Sequence, residues 1–196
     1  MTPIDRDAQA VLDFWFGAEG SAAHGHQRKE WFAKDSAFDA QIAQQFGSVV
    51  NTALAGGLQH WVAHTAGRLA RIIVADQFTR NVFRDTPRAF AGDALALADA
   101  RKMVDSGFDQ QLPPLQRAFA YLPFEHDEDL ASQDRSVTLF RALAQQDATL
   151  APMLDYAQRH HAVIARFGRF PHRNAILSRP SSDEELAFLK QPGSRF

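Results

Sequence analysis

Apolar side chains recur every three or four positions along nearly the whole chain, which is the period of an amphipathic α-helix. Phe38, Ile42 and Phe46 show this spacing behind a candidate N-cap, Asp35, and Ser182 with Glu185 matches a capping box before the last predicted helix. The pattern predicts helices over 11–15, 38–53, 69–83, 87–104, 113–119, 127–146, 150–167 and 182–189. No run of β-branched and aromatic residues alternates at period two, so we expect no strands. Short predicted loops favour stacked antiparallel helical hairpins in a single all-α domain, residues 1–196.

Composition narrows the class of protein. The chain has 196 residues, of which 45% are hydrophobic and 22% charged, as in ordinary globular domains. It contains no cysteine, which excludes disulfides and thiol chemistry and fits a cytoplasmic location. Its apolar runs fall far short of the roughly 18 residues of a membrane span, and its first residues do not resemble a secretory signal. We therefore expect neither a membrane protein nor a secreted one.

Opposite charges are segregated in the second half of the chain. The formal net charge is only −2, so nothing global points to a polyanionic partner. The segment 156–182 has no acid but carries five arginines and three histidines: Arg159, Arg166, Arg169, Arg173, Arg179, His160, His161 and His172. The segment 125–134 carries five acids and no lysine or arginine. Two interpretations stay open, a salt-bridged contact between the two segments and a binding patch.

Polar side chains occupy apolar faces of three predicted helices. Asp76 and Arg80 lie four residues apart in the middle of one apolar stripe, which predicts a buried pair. His160 lies near the centre of another stripe, and Asp129 and Gln133 lie on the apolar side of a third helix. Burying such groups without partners costs several kcal/mol, so they should meet one another or a ligand. The sequence leaves open a structural network and a polar pocket.

The string PFEHDEDL adds His126 and Glu128 beside Asp129 at the predicted start of a helix. Acids there complement the helix dipole, which is a sufficient structural explanation. A histidine held by a carboxylate is also the arrangement used for acid–base chemistry. His126, Asp129 and His160 form a conceivable metal set, but no spacing is diagnostic, so we predict neither a metal nor a cofactor.

The string RFGRFPHRN, residues 166–174, interleaves arginine with phenylalanine. Arginine offers forked donors suited to phosphate or carboxylate, and exposed aromatic rings could stack on bases. The structural alternative is a loop that inserts its phenylalanines into the core and pairs with the acidic segment. The net charge of −2 makes nucleic-acid binding an unfavoured function for this segment. We expect Arg169 or Arg173 within salt-bridge reach of Glu128 or Asp129, beside His126 and His160.

Long strings of this chain resemble one family, the bacterial proteins called domain of unknown function 924. They are VLDFWFG at 11–17, WF at 31–32, DQFTRNVFRDTPRAFAGD at 76–93, PFEHDEDL at 123–130 and HHAVIARFGRFPHRNAILSR at 160–179. The resemblance implies a tetratricopeptide-like α-α superhelix and no established activity. Two positions depart from the family pattern: Asp127 stands where serine is usual, and Ser178 where glycine is frequent.

The family strings include the polar residues that the helical pattern singles out. The catalytic candidates are His126, His160 and Asp129, and the ligand-binding candidates are Asp76, Arg80, Asn81, Arg84, Glu128, Gln133, Arg169, His172, Arg173 and Asn174. One hypothesis is a pocket for a small anionic ligand, with histidine as acid or base. The other is a tetratricopeptide-like module that binds a peptide in a concave groove. RNA binding ranks third, and the sequence does not indicate an oligomeric state.

Overall fold

The computed structural model describes residues 3–194, and none of them is in a β-strand. Its α-helices are α1 Arg6–Phe16, α2 Ser36–Leu54, α3 Thr65–Ile72, α4 Thr79–Val82, α5 Asp93–Asp105, α6 Pro114–His126, α7 Leu130–Gln146, α8 Ala151–Phe167 and α9 Asp183–Phe188. The all-α prediction is therefore confirmed. Over the same residues, no helix is both long enough and apolar enough to cross a bilayer.

Contacts within the chain group it into two compact units. The first runs to Arg84 and resumes at Arg88–Pro123, and the second joins Asp85–Pro87 to the residues from Phe124 onward. The first unit thus contains α1 to α5 and most of α6, and the second contains the end of α6 with α7, α8 and α9. The single-domain organisation and the tetratricopeptide-like superhelix stay predictions.

Aromatic rings form the core of the first unit. The ring centroid of Trp15 lies 5.5 Å from that of Phe78, 5.7 Å from that of Phe119 and 5.8 Å from that of Trp31. The indole Nε1 of Trp31 donates to the Trp15 carbonyl at 3.2 Å, which satisfies an oxygen at the end of α1. The pairs with Phe78 and Phe119 are edge-to-face and the pair with Trp31 is stacked, and both arrangements add stability beyond the area they bury. This core explains why α1 is apolar at its last residues.

The segment predicted as one helix over 69–83 is interrupted by a wider turn. α3 ends at Ile72, a π-helix spans Ile73–Phe78, and α4 follows. Every side chain from 71 to 79 is buried, so this segment is enclosed on all sides. The backbone of Gly92 adjoins it so closely that a Cβ at Gly92 would lie 2.0 Å from the Ala75 carbonyl oxygen.

Two predicted helix boundaries need correction. The helix expected from residue 87 is a 3₁₀ turn, Pro87–Phe90, and α5 begins only at Asp93. The helix expected over 113–119 continues to His126, so His126 ends a helix rather than opening one. Pro123 lies inside α6, and a proline at that place made a longer helix hard to foresee.

In the second unit, α7 and α8 form an antiparallel hairpin. Asp134 near the start of α7 accepts a hydrogen bond from His161 near the end of α8 at 2.8 Å, which fixes their register. α8 ends at Gly168 in the left-handed conformation, φ 68°. The chain then turns back, and the buried ring of Phe170 packs with Val163 and Ile164 of α8.

The caps expected from the sequence are confirmed. The side chain of Asp35 accepts from the backbone N–H groups of Ala37 and Phe38 at the start of α2. At α9, Ser182 and Glu185 form a capping box. Capping is a local interaction, which is why the sequence predicts it well.

Ser178 has a φ of +54°, in the left-handed region that glycine adopts without strain. The left-handed conformation costs a residue with a Cβ roughly 1–2 kcal/mol. Since glycine loses more backbone entropy on folding, we expect Ser178→Gly to raise the free energy of unfolding by about 0.5–1 kcal/mol, measured by urea denaturation. Ser178→Ala keeps the Cβ and should give no such gain. An equal gain from both variants would contradict the explanation by backbone strain.

Candidate functional site

The Asp76–Arg80 pair predicted from the sequence is present in the first unit. Arg80 Nη1 lies 3.2 Å from Asp76 Oδ1, and the side-chain exposures are 1% for Asp76 and 21% for Arg80. The Arg80 guanidinium also donates two hydrogen bonds to Asp93, at 2.9 and 3.2 Å. Asp93 was not among the predicted residues, because its pairing depends on the approach of α5 to the π-helix.

Asn81 and Arg84 both bind the carboxylate of Asp39. Arg84 donates to both carboxylate oxygens at 2.6 Å, and Asn81 Nδ2 donates to Oδ1 at 2.7 Å. Burial raises the pKa of Asp39, but the hydrogen bonds from Arg84 and Asn81 and the Arg84 charge outweigh it, so the pKa lies below its usual value. Three of the four predicted ligand-binding residues of the first unit thus bind carboxylates of the chain itself, and the fourth, Asp76, is one of those carboxylates.

Removing Arg80 should destabilise the protein, because Asp76 would remain charged in an apolar surrounding. We expect Arg80→Met to lower the free energy of unfolding by about 3 kcal/mol, as for other broken buried pairs. Thermal and urea denaturation measure this loss. Adding Asp76→Asn to that variant should recover part of the stability, since the buried charge is then gone. If the single variant unfolds like the wild type, the pair has no structural role.

In the second unit, two histidines and an arginine pack on one buried phenyl ring, and a third histidine lies beside His160. Phe170 is fully buried, and its centroid lies 5.4 Å from that of His160 and 5.6 Å from that of His172. The centroids of His126 and His160 are 6.3 Å apart, and Arg173 Cζ lies 4.5 Å from the Phe170 centroid. We call these five residues the Phe170 cluster. His126 and His160 thus lie close to the segment 166–174, and the prediction that they line one cavity used as a site stays a prediction.

His160 is oriented by two acceptors. Its Nδ1 lies 2.9 Å from the carbonyl oxygen of Tyr156 and 3.2 Å from Glu125 Oε1. A carbonyl oxygen can only accept, so Nδ1 carries the proton, and Nε2 is the basic nitrogen of the neutral ring. Glu125 was not among the predicted residues. Its signal in the sequence was its place in the acidic segment, directly before His126.

Two imidazoles of the cluster resist protonation. Burial, followed by the proximity of His126, lowers the pKa of His160 to about 3. Burial and the charge of Arg173 lower the pKa of His172 to about 4. Both rings are therefore neutral near pH 7.

Glu128 fastens the segment after α8. Its carboxylate accepts from the backbone N–H of Phe170 at 2.7 Å and from two guanidinium nitrogens of Arg179 at 2.5 and 2.9 Å. Burial raises its pKa, but the hydrogen bonds from Arg179 and Phe170 outweigh burial and lower the pKa below its usual value. Arg179 therefore joins the acidic and basic segments, and a salt bridge from Arg169 or Arg173 to Glu128 or Asp129 stays a prediction. Arg169 instead binds Glu185, at 2.7 and 2.8 Å.

Three further predicted residues have structural contacts. Gln133 is fully buried, and its Nε2 donates to the carbonyl oxygens of Glu125 at 2.6 Å and Asp127 at 2.7 Å. Asn174 is also buried, and its Oδ1 accepts from Arg179 at 3.0 Å. Asp129 was expected on the inward face but is exposed, because it is the N-cap of α7 and lies outside the helix.

The predicted residues of the described chain neither form a metal centre nor line the cleft of the first unit. From residue 3 to residue 194, no group of three histidine, aspartate or glutamate side chains is arranged to hold a metal ion. An open cleft of about 810 Å³ lies in the first unit, where the chain between Gly17 and Glu30 folds back on α1. None of its lining residues is among the predicted ligand-binding or catalytic residues.

Helical structure and a buried histidine–arginine cluster define an all-α protein with unusual polar chemistry in its second unit. The chain belongs to the family described as bacterial protein of unknown function (DUF924), whose model matches residues 11–193. It is similar to a solved structure, the protein of unknown function ATU0120 from Agrobacterium tumefaciens, with 36% identity and a TM-score of 0.81. That match covers 93% of this chain and 96% of the other. No curated protein matches the chain.

The lowered pKa values make stability depend on pH. Unfolding returns His160 and His172 to an ordinary pKa of about 6.5, so the unfolded chain binds more protons as the pH falls through that value. We expect the free energy of unfolding to decrease between pH 6.5 and 5, with His160→Gln reducing the slope by about one proton. Urea denaturation at several pH values measures this slope. An unchanged slope in His160→Gln would contradict this assignment.

Proposed function

We propose that the protein binds a small anion at the Phe170 cluster. The observation that carries this proposal is the packing of a buried guanidinium and two imidazoles on one phenyl ring, with a third imidazole, that of His126, beside His160. Arg173 is only 6% exposed and His160 only 5%. Arg173 and the other histidines help to keep His160 and His172 neutral. An anion would offset this positive potential and gain charge-assisted hydrogen bonds.

Each part of the cluster has a separate role in the proposal. The Arg173 guanidinium offers forked donors that suit a phosphate or a carboxylate. His126 and His172 are half-buried, so their ring nitrogens can face an incoming ligand. Phe170 supplies an apolar wall, which strengthens electrostatic contacts by excluding water.

His160 adds acid–base chemistry to this proposal. Tyr156 and Glu125 fix the proton on Nδ1, so the ring presents a single basic nitrogen. A ligand anion would raise the pKa of His160 from about 3 toward the working pH, where acid–base catalysis is most effective. No particular reaction is assigned.

Inorganic phosphate tests the anion site. We expect phosphate to bind the wild-type protein in isothermal titration calorimetry and to raise the pKa of His172 in an NMR titration. His172→Gln and Arg173→Gln should each weaken binding at least tenfold, the loss of about one charge-assisted hydrogen bond. Arg166→Gln is the matched control, because Arg166 lies on the exposed face of α8 and binds Glu184.

The result of the anion titration decides whether the Phe170 cluster binds an anion or only stabilises the fold. If phosphate, sulfate and acetate all leave the melting temperature and the histidine resonances unchanged at 20 mM, about 100 times a Kd of 0.2 mM, the anion site is wrong. Equal weakening by Arg166→Gln would indicate non-specific attraction to the basic segment and would also contradict the proposal.

A further inference from the structure

Two polar side chains on the inner face of α7 are fully buried without satisfying their hydrogen-bonding capacity. Gln133 and Ser136 both have 0% exposure. Gln133 Oε1 and Ser136 Oγ have no hydrogen-bond partner among residues 3–194. Buried polar atoms are nearly always paired in proteins, so two orphans one helical turn apart point to a group that is absent from the chain itself.

The orientation of the Gln133 amide is determined by its surroundings. Its Nε2 faces the carbonyl oxygens of Phe124, Glu125 and Asp127, at 3.4, 2.6 and 2.7 Å. Rotating the amide by half a turn would place Oε1 against these three acceptors, which cannot donate to it. Oε1 therefore points away from the end of α6.

The alignment of α7 against α8 places Gln133 Oε1 and Ser136 Oγ near the Phe170 cluster. The Asp134–His161 hydrogen bond aligns α7 with α8, so His160 lies opposite the turn of α7 that carries Gln133 and Ser136. Glu125 connects the two sides, because its carbonyl accepts from Gln133 and its carboxylate lies 3.2 Å from His160 Nδ1. By this register, the turn of α7 that carries Gln133 and Ser136 faces His160 on one side, and the Arg173 guanidinium packs on Phe170 on the other.

We propose that Gln133 Oε1 and Ser136 Oγ, beside the Glu125 carboxylate, bind an amino group of the ligand. This inference rests on the proposed anion site and names its substrate class: small molecules that carry an anionic group at one end and an N–H donor at the other. An ammonium group has three donors and a positive charge, which match two neutral oxygens and one carboxylate.

The two ends of the ligand then meet opposite charges of the protein. Arg173 and His172 face the anion, and Glu125 faces the amine. The ligand therefore lies with its negative end toward Arg173 and its positive end toward the Glu125 carboxylate. A ligand with the anion alone would leave Oε1 and Oγ without donors. Discrimination against it should be strong, because a site that buries unpaired polar atoms rejects an analogue lacking the matching group.

Paired phosphate monoesters test this inference. We compare aminoalkyl phosphates of two to four carbons with alkyl phosphates of the same length by isothermal titration calorimetry. At least one aminoalkyl phosphate should bind ten or more times as tightly as its alkyl counterpart. Ser136→Ala should remove most of this advantage while leaving the binding of alkyl phosphate unchanged.

The ligand-free stability of the variants gives a second readout. Because Ser136 Oγ makes no hydrogen bond within the described chain, Ser136→Ala should leave the melting temperature unchanged or raise it. Ser132→Ala is the matched control. Ser132 lies on the same helix as Ser136, and its hydroxyl donates a hydrogen bond to Asp127 at 2.7 Å, which the substitution removes. It should lower the melting temperature without altering the preference for the amine.

Each failure has a distinct meaning. If alkyl phosphates bind but no aminoalkyl phosphate binds more tightly, the amine site is wrong and the anion site stands. If neither series binds, the anion site itself fails. A preference for the amine that survives Ser136→Ala, or a crystal structure with only a buried water between Gln133 and Ser136 and no effect of either ligand, overturns the inference.

Discussion

The carboxylate of Glu128 holds together the part of the second unit that carries its polar chemistry. It lies just before α7 in the chain, yet it accepts from the backbone of Phe170 and from the guanidinium of Arg179, some 40 and 50 residues later. These contacts oblige the chain after α8 to turn back over that helix. Phe170 can then reach His160, and His172 and Arg173 follow it in the same turn. Without Glu128, the backbone N–H of a buried residue would lose its acceptor, and the cluster would have no fixed shape.

The features that the sequence predicted well depend on neighbours within one helical turn. The three-to-four spacing of α2, α7 and α8 reports which side of each helix is buried, whatever it packs against. Asp35 and Ser182 bind backbone groups two or three residues away. Asp76 and Arg80 lie on successive turns, so their pairing could be foreseen as well. Each of these features could be predicted without knowing how the rest of the chain folds.

The errors arose where backbone geometry departs from a regular helix or where the partner is distant in sequence. A helical wheel with constant rotation per residue cannot reveal the π-helix at Ile73–Phe78. The wheel also placed Asp129 inside because it extended α7 past its own cap. Arg169 and Arg179 have the same chemistry, and only the turn after Pro171 decides that Arg179 is the one that reaches Glu128.

Gly92 shows how a residue without a side chain can govern an electrostatic contact. Its backbone is pressed against the Ala75 carbonyl of the π-helix, where a Cβ would lie 2.0 Å from the oxygen. The next residue, Asp93, supplies the carboxylate that receives Arg80. Any larger residue at position 92 would have to move the beginning of α5 outward, and the carboxylate would move with it. A substitution that changes no charge would thus weaken an ion pair by steric displacement, so selection on that ion pair also constrains the volume at position 92.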